Sequence, residues 1–173
     1  MTEQEKEMAD CLVRIFENVL ITEEMSLQKG YFPDLSLAEM HALDAIGPYE
    51  SRTMSETASI LGITTGTLTV AIERLVRKGF VERKRDDKDR RIVRISLTRT
   101  GKVACRMHGK YHRVLAKKAL DPCSEEEAKL LLRMVHDVDD FLALKAKQYN
   151  ERESLRTTAK EVAKETRRRN DNG

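Results

Sequence analysis

Tryptophan is absent from this 173-residue chain, aromatic residues make up 5 % of it, and only 3 prolines and 8 glycines interrupt it. So few turn formers exclude a β sandwich or barrel and favour long helices. No apolar run approaches the ~18 residues of a membrane span. The acidic start (Glu3, Glu5, Glu7) lacks the basic and apolar segments of a secretion signal, so a cytoplasmic location and no membrane partner are expected. Three cysteines (Cys11, Cys105, Cys123) are odd in number and widely spaced, which argues against a disulfide framework or a zinc knuckle. The four histidines form no H-E-x-x-H, and G-x-S-x-G, P-loop and G-x-G-x-x-G motifs are all missing. No nucleophile, base and orienting group can be assembled, so no enzyme and no cofactor are expected.

The charge is unevenly placed. The chain carries +3 overall, yet residues 1–50 hold 3 basic and 11 acidic side chains, and residues 74–99 hold 11 basic and 4 acidic ones. A basic block inside a nearly neutral chain points to a local anionic partner.

Periodicity places the elements around that block. Met8, Leu12, Ile15, Phe16, Val19 and Leu20 recur at helical spacing within residues 5–29. Ser36 to Glu39, Thr53 to Glu56 and Ser124 to Glu127 read as capping boxes that open helices. The second of these helices carries Met54, Ala58 and Leu61 and stops at Gly62. A further helix begins near Thr65, with Leu68, Ile72, Leu75 and Val76 inward and Gly79 at a left-handed cap. A short helix, a tight turn and a second helix make a helix-turn-helix. Residues 80–84 and 92–97 alternate like strands around the polar loop 86–91, with Val93, Ile95 and Leu97 on one face. They form a wing. Thr98 caps a long helix to about Leu120, and a last helix carries Leu131, Met134, Val135, Val138, Phe141 and Leu142. After Tyr149 large apolar residues almost vanish, so 151–173 reads as a charged C-terminal extension.

With Leu68, Ile72 and Leu75 inward, Thr65, Thr67, Thr69, Val70 and Arg74 face outward. Short threonines near a helix N-terminus allow close approach to base edges, and their methyls and that of Val70 can meet a thymine methyl. Arg74 can reach a base or a phosphate. The partner expected is duplex DNA.

The run from Ser36 to Gly101 resembles the winged helix-turn-helix of the MarR family of bacterial regulators. Asp89-Arg90-Arg91 followed by Val93-Arg94-Ile95-Ser96-Leu97-Thr98-Arg99-Thr100-Gly101 is similar to that family's D-x-R wing and V-x-L-T-x-x-G. Leu75 to Val81 resembles its L-E-x-K-G junction. Ile21 to Glu24, Phe32 to Ser36, Glu39 to His41, Asp44 to Gly47, Gly66 to Thr69 and the pair His108 and His112 are further similar to the FabT-type repressors of fatty acid synthesis. The resemblance implies a mainly α, winged helix-turn-helix domain over 1–150. Residues 36–101 would form its DNA-binding lobe with a two-stranded β wing, and 5–29 and 102–150 its N- and C-terminal dimerisation helices. It implies a homodimer on a pseudo-palindromic operator. Arg91 would enter the minor groove, braced by Asp89, with Lys88 and Arg90 near phosphates.

The narrower resemblance implies a repressor of fatty acid biosynthesis genes with a long-chain acyl group on acyl carrier protein as corepressor. Phe16, Val19, Leu20, Met25, Phe32, Met40, Leu43 and Met107 could line an apolar tunnel, or be ordinary core residues. Arg106, Lys110, Arg113 and Lys117 recur on one face of the long helix, where an acidic carrier could dock or water simply cover them. His108 and His112, at i and i+4, are two metal ligands without an evident third, so no metal is expected. Gly109 between them costs about 1 kcal/mol in a helix interior, which leaves open whether a neighbour approaches there. An alternative keeps the fold and changes the signal to another small ligand, or to peroxide through Cys11. Against peroxide, Met40 and Leu43 stand where relatives that sense it carry tyrosine partners.

Overall fold

A computed structural model describes residues 1–171, with side chains described through residue 149. The chain divides into two compact units, residues 1–117 and residues from 118 onward. The first holds α1 (Glu3–Gln28), α2 (Leu37–Ile46), β1 (Ser51–Thr53), α3 (Met54–Leu61), α4 (Thr65–Arg77), β2 (Val81–Arg85), β3 (Val93–Leu97) and most of α5 (Arg99–Leu120). The second is dominated by α6 (Glu125–Asp171). No single helix among the described residues is long and apolar enough to cross a membrane.

The expected helix starts are built as the sequence spells them. Ser36 and Glu39 bond reciprocally, as do Thr53 and Glu56, and Ser124 and Glu127, so orphan amides at each helix start are paired. Thr2 and Glu5 add a fourth such box at the start of α1. Gly62 ends α3 in the left-handed region, at φ 65°, where a β-carbon would be strained.

The wing hairpin of β2 and β3 forms as expected, with Arg83 facing Ile95, and a third strand joins its sheet. β1 pairs antiparallel with β3, Arg52 facing Ile95, so the sheet has three strands in the order β1-β3-β2. Ser51-Arg52-Thr53 is too short to show a strand period, and it disappears into the approach to α3.

The core lies under the helix-turn-helix. Met40, Leu43, Ile46, Leu68, Ile72, Leu75 and Ile95 are fully buried, joined by Leu97, Phe80 and Ala104. Two expected core positions are outside it. Val76 is 37 % exposed because it lies at the edge of the buried stripe of α4, one turn beyond Ile72, and Val93 is 40 % exposed because it opens β3 at the wing end, before the strand reaches the core. Gly101 explains the glycine three residues past Thr98. A β-carbon there would stand 2.2 Å from the carbonyl oxygen of Phe80, so α5 can pack on the β2 approach only without a side chain. Gly109 has no such reason, since an added β-carbon meets only the flexible end of Arg113.

Candidate nucleic-acid interface

The axes of α3 and α4 bend by 108° across Gly62-Ile63-Thr64, within the range of a helix-turn-helix. Leu68, Ile72 and Leu75 root α4 in the core and leave its opposite face in solvent. Thr65, Thr67, Val70 and Arg74 are exposed there, and Thr69 is half-buried. The threonine hydroxyls are not idle. Thr64 caps the helix by accepting from the Thr67 amide, with its Oγ1 2.9 Å from the Thr67 hydroxyl, and the Thr69 hydroxyl donates to the Thr65 carbonyl at 2.7 Å. These bonds fix the side-chain rotamers and hold the rim of the helix in one shape. The cap residue, Thr64, is one position ahead of the outward set read from the sequence.

At the wing, Arg91 donates from Nε and Nη2 to the two oxygens of Asp89, both at 3.1 Å, and its backbone amide also bonds Asp89. This fork holds a guanidinium that is 92 % exposed. The Arg91 hydrogen bonds keep the Asp89 carboxyl below its ordinary range. Lys88 and Arg90 are exposed beside it.

The base of the loop depends on a residue that sequence reasoning passed over. Asp86 accepts from Arg94 Nε and from the amides of Lys88 and Asp89, and chiefly the Arg94 bond pulls its pKa down to about 2. Arg94 also donates to the Ser51 carbonyl at 3.1 Å, tying the wing to β1. The available signal was a loop aspartate eight residues before a strand arginine, too loose a spacing to single out.

The residues expected around an effector are divided. Met40 and Leu43 are fully buried among the core residues. Phe16, Leu20 and Met25 are exposed on α1, and Val19 is half-buried. Phe32 and Met107 line a cleft of about 200 Å³ with Leu27 and Ala104. Arg106, Lys110, Arg113 and Lys117 are all exposed on α5.

The histidine pair has more company than its spacing reveals. Glu23 of α1, only 2 % exposed, points its Oε1 at His108 Nε2 (2.6 Å), His112 Nε2 (3.2 Å) and His41 Nε2 (3.4 Å). His108 Nδ1 lies 2.5 Å from Asp44. Burial disfavours a charged His108 ring, but the carboxylates on both nitrogens outweigh it and raise its pKa. The Cys105 thiol donates to the other Asp44 oxygen, and burial first, then Asp44, pushes its pKa up to about 12.

A helix presented outward from a bent helix pair, beside a braced arginine on a β hairpin, defines a winged helix-turn-helix DNA-binding protein. The MarR family model matches residues 35–93, which run from two residues before α2 to the start of β3. The chain is 32 % identical over 130 residues to the uncharacterized HTH-type transcriptional regulator YcgE of Bacillus subtilis, covering 72 % of this chain and 78 % of that one. It is 36 % identical to FabT of Streptococcus pneumoniae, whose structure was solved in complex with DNA; the match covers 80 % of this chain and 97 % of that one, with a TM-score of 0.75. A MarR variant from E. coli complexed with operator DNA matches at 27 % identity, 73 % and 92 % coverage and a TM-score of 0.53. The chain belongs to the MarR family and is a DNA-binding transcriptional regulator similar to FabT.

Proposed function

We propose that this regulator is a homodimeric repressor of fatty acid biosynthesis genes, strengthened on its operator by long-chain acyl groups on acyl carrier protein. The observation that carries this reading is the likeness to DNA-bound FabT along almost the whole of that chain. In the complex, α4 lies in the major groove, with Thr65, Thr67, Thr69, Val70 and Arg74 toward the bases. Arg91, aimed by Asp89, enters the minor groove, and Lys88 and Arg90 meet phosphates.

Unsatisfied apolar surface supports the dimer. On α1, Ile15, Phe16, Leu20 and Ile21 are more than half exposed, and on α6 so are Val135, Phe141 and Leu144. Apolar stripes of this kind are covered in a stable protein, and a two-fold pairing covers both copies at once. Two lobes then read half-sites about one DNA turn apart.

The cleft beside Phe32 and Met107 supports the lipid signal. At about 200 Å³ it is smaller than the ~300–1,000 Å³ of common ligand sites. A long acyl chain would therefore run on from it along the exposed Phe16, Leu20 and Met25. The exposed bases Arg106, Lys110, Arg113 and Lys117 would face the acidic carrier. Such a ligand shifts the operator-binding arrangement only by preferring it.

A gel shift on the upstream region of a fatty-acid-synthesis operon tests the proposal. Binding should tighten with long-chain acyl carrier protein and not with the unacylated carrier. Equal binding with both removes the lipid signal, and no preference over random DNA removes the operator assignment.

A further inference from the structure

We propose that Glu23, His41, His108 and His112 form a binding site for one divalent transition-metal ion of zinc's class per chain, clasping α2 to α1 and α5. It is distinct from the DNA-reading surface and adjoins the apolar cleft, whose wall His108 also lines.

The geometry is that of a ligand set. Four donors come from three helices: Glu23 from α1, His41 from α2, and His108 and His112 one turn apart on α5. Each histidine presents the same nitrogen, Nε2, to the same carboxylate oxygen, at 2.6, 3.2 and 3.4 Å. The donor atoms of Glu23, His41 and His108 all lie within 4.8 Å of one another. Ligands at 2.0–2.1 Å around a tetrahedral zinc stand roughly 3.3 Å apart. The distances from Glu23 to His41 and to His112 already match that spacing, His108 needs to withdraw by some tenths of an ångström, and His112, outside that group of three, completes the set by turning its half-exposed ring toward it.

The donor chemistry selects the ion. Three imidazoles and one carboxylate suit zinc and its neighbours, whereas magnesium and calcium prefer oxygen. Cys105 is excluded as a ligand, because its thiol is a donor to Asp44.

The surroundings support the ligands as a metal site needs. Asp44 sits 2.5 Å from His108 Nδ1, which places a proton there and leaves Nε2 as the metal-facing nitrogen. Glu23 is almost wholly buried, while His41 and His112 have side chains 42 % and 48 % exposed, so an ion can enter from solvent past them. A plain ion pair would account for Glu23 with His108. It gives no reason for two further histidines to aim Nε2 at the same oxygen.

The test uses the full chain, stripped with a chelator, desalted and titrated with Zn²⁺ by calorimetry, with metal counted after gel filtration. One zinc per chain is expected, unaffected by excess Mg²⁺, and Co²⁺ in its place should show the intense visible bands of a tetrahedral site. His41→Ala and His112→Ala remove half-exposed side chains and leave the core alone, so both proteins should fold. Each should weaken zinc binding at least ~10-fold, and the double variant should retain none after filtration. Asp44→Asn, which acts through His108 and does not itself supply a donor to the ion, should weaken it by ~10–100-fold. A wild-type protein that leaves the column without zinc overturns the proposal. So does a double variant that holds zinc as the wild type does.

Discussion

At the scale of single residues, the wing shows how a charge is made useful by its neighbour. A lone exposed arginine samples many rotamers, and ordering it costs up to ~2 kcal/mol of side-chain entropy. Asp89 bonds both ends of the Arg91 fork and its amide, so much of that ordering is done before DNA arrives. Arg91→Ala should therefore weaken operator binding by about 1–3 kcal/mol, while Lys88→Ala should mainly flatten the salt dependence. Gel shifts at several salt concentrations separate the two, and an unchanged affinity in Arg91→Ala would remove the wing from the interface. Glu39 gives a second residue-scale expectation. It closes the capping box of α2 and accepts from Lys78 at 2.7 and 2.9 Å. Burial pushes its pKa up, but Lys78 and Ser36 outweigh burial and set it below the ordinary 4.5. A carboxylate with a depressed folded pKa stabilises the fold above its unfolded pKa, and that stability is lost as pH falls through the folded value. Melting curves should thus show the wild type losing part of its margin on acidification below about pH 4.5. Glu39→Gln should start lower and lose less over the same range.

At the scale of elements, what the sequence disclosed and what it hid divide along one line. Helix starts were legible because the capping pair lies within four residues, and Ser36–Glu39, Thr53–Glu56 and Ser124–Glu127 all bond as read. The bend of α3 against α4 was legible through Gly62, and the outward face of α4 through the buried Leu68, Ile72 and Leu75. β1 was not, because three residues carry no period and its partner lies more than forty residues away. The Glu23 cluster was hidden for the same reason. His108 and His112 announce themselves by spacing, but Glu23 and Asp44 join them across 85 and 64 residues, and one of the six glutamates on α1 has no local mark to single it out. The glycine in the wing-to-helix motif was visible as a pattern, yet its cause, the Phe80 carbonyl beside Gly101, exists only in three dimensions.

At the scale of the whole molecule, the first unit has a core and the second shows no buried residue among its described side chains. A helix with Leu130, Leu132, Met134, Val138 and Leu142 in water has little packing to hold it. Its stability must come from another surface, and the proposed dimer supplies one. Sedimentation should therefore give a dimer for the wild type, and Phe141→Glu with Leu142→Glu should shift the population to monomers and cut operator affinity by ten-fold or more, roughly the 1.4 kcal/mol or above that losing the second half-site entails. A double variant that still sediments as a dimer would place the contact elsewhere. The arginine that buckles the wing to the short strand before the helix-turn-helix has a consequence at this scale too. Arg94 holds Asp86 on one side and Ser51 on the other, so the finger and the rod are jaws of one caliper with a fixed gauge. On the proposed docking such a tool would measure as well as grip: a DNA stretch whose two grooves sit at the wrong phase would be refused even when every base edge is correct.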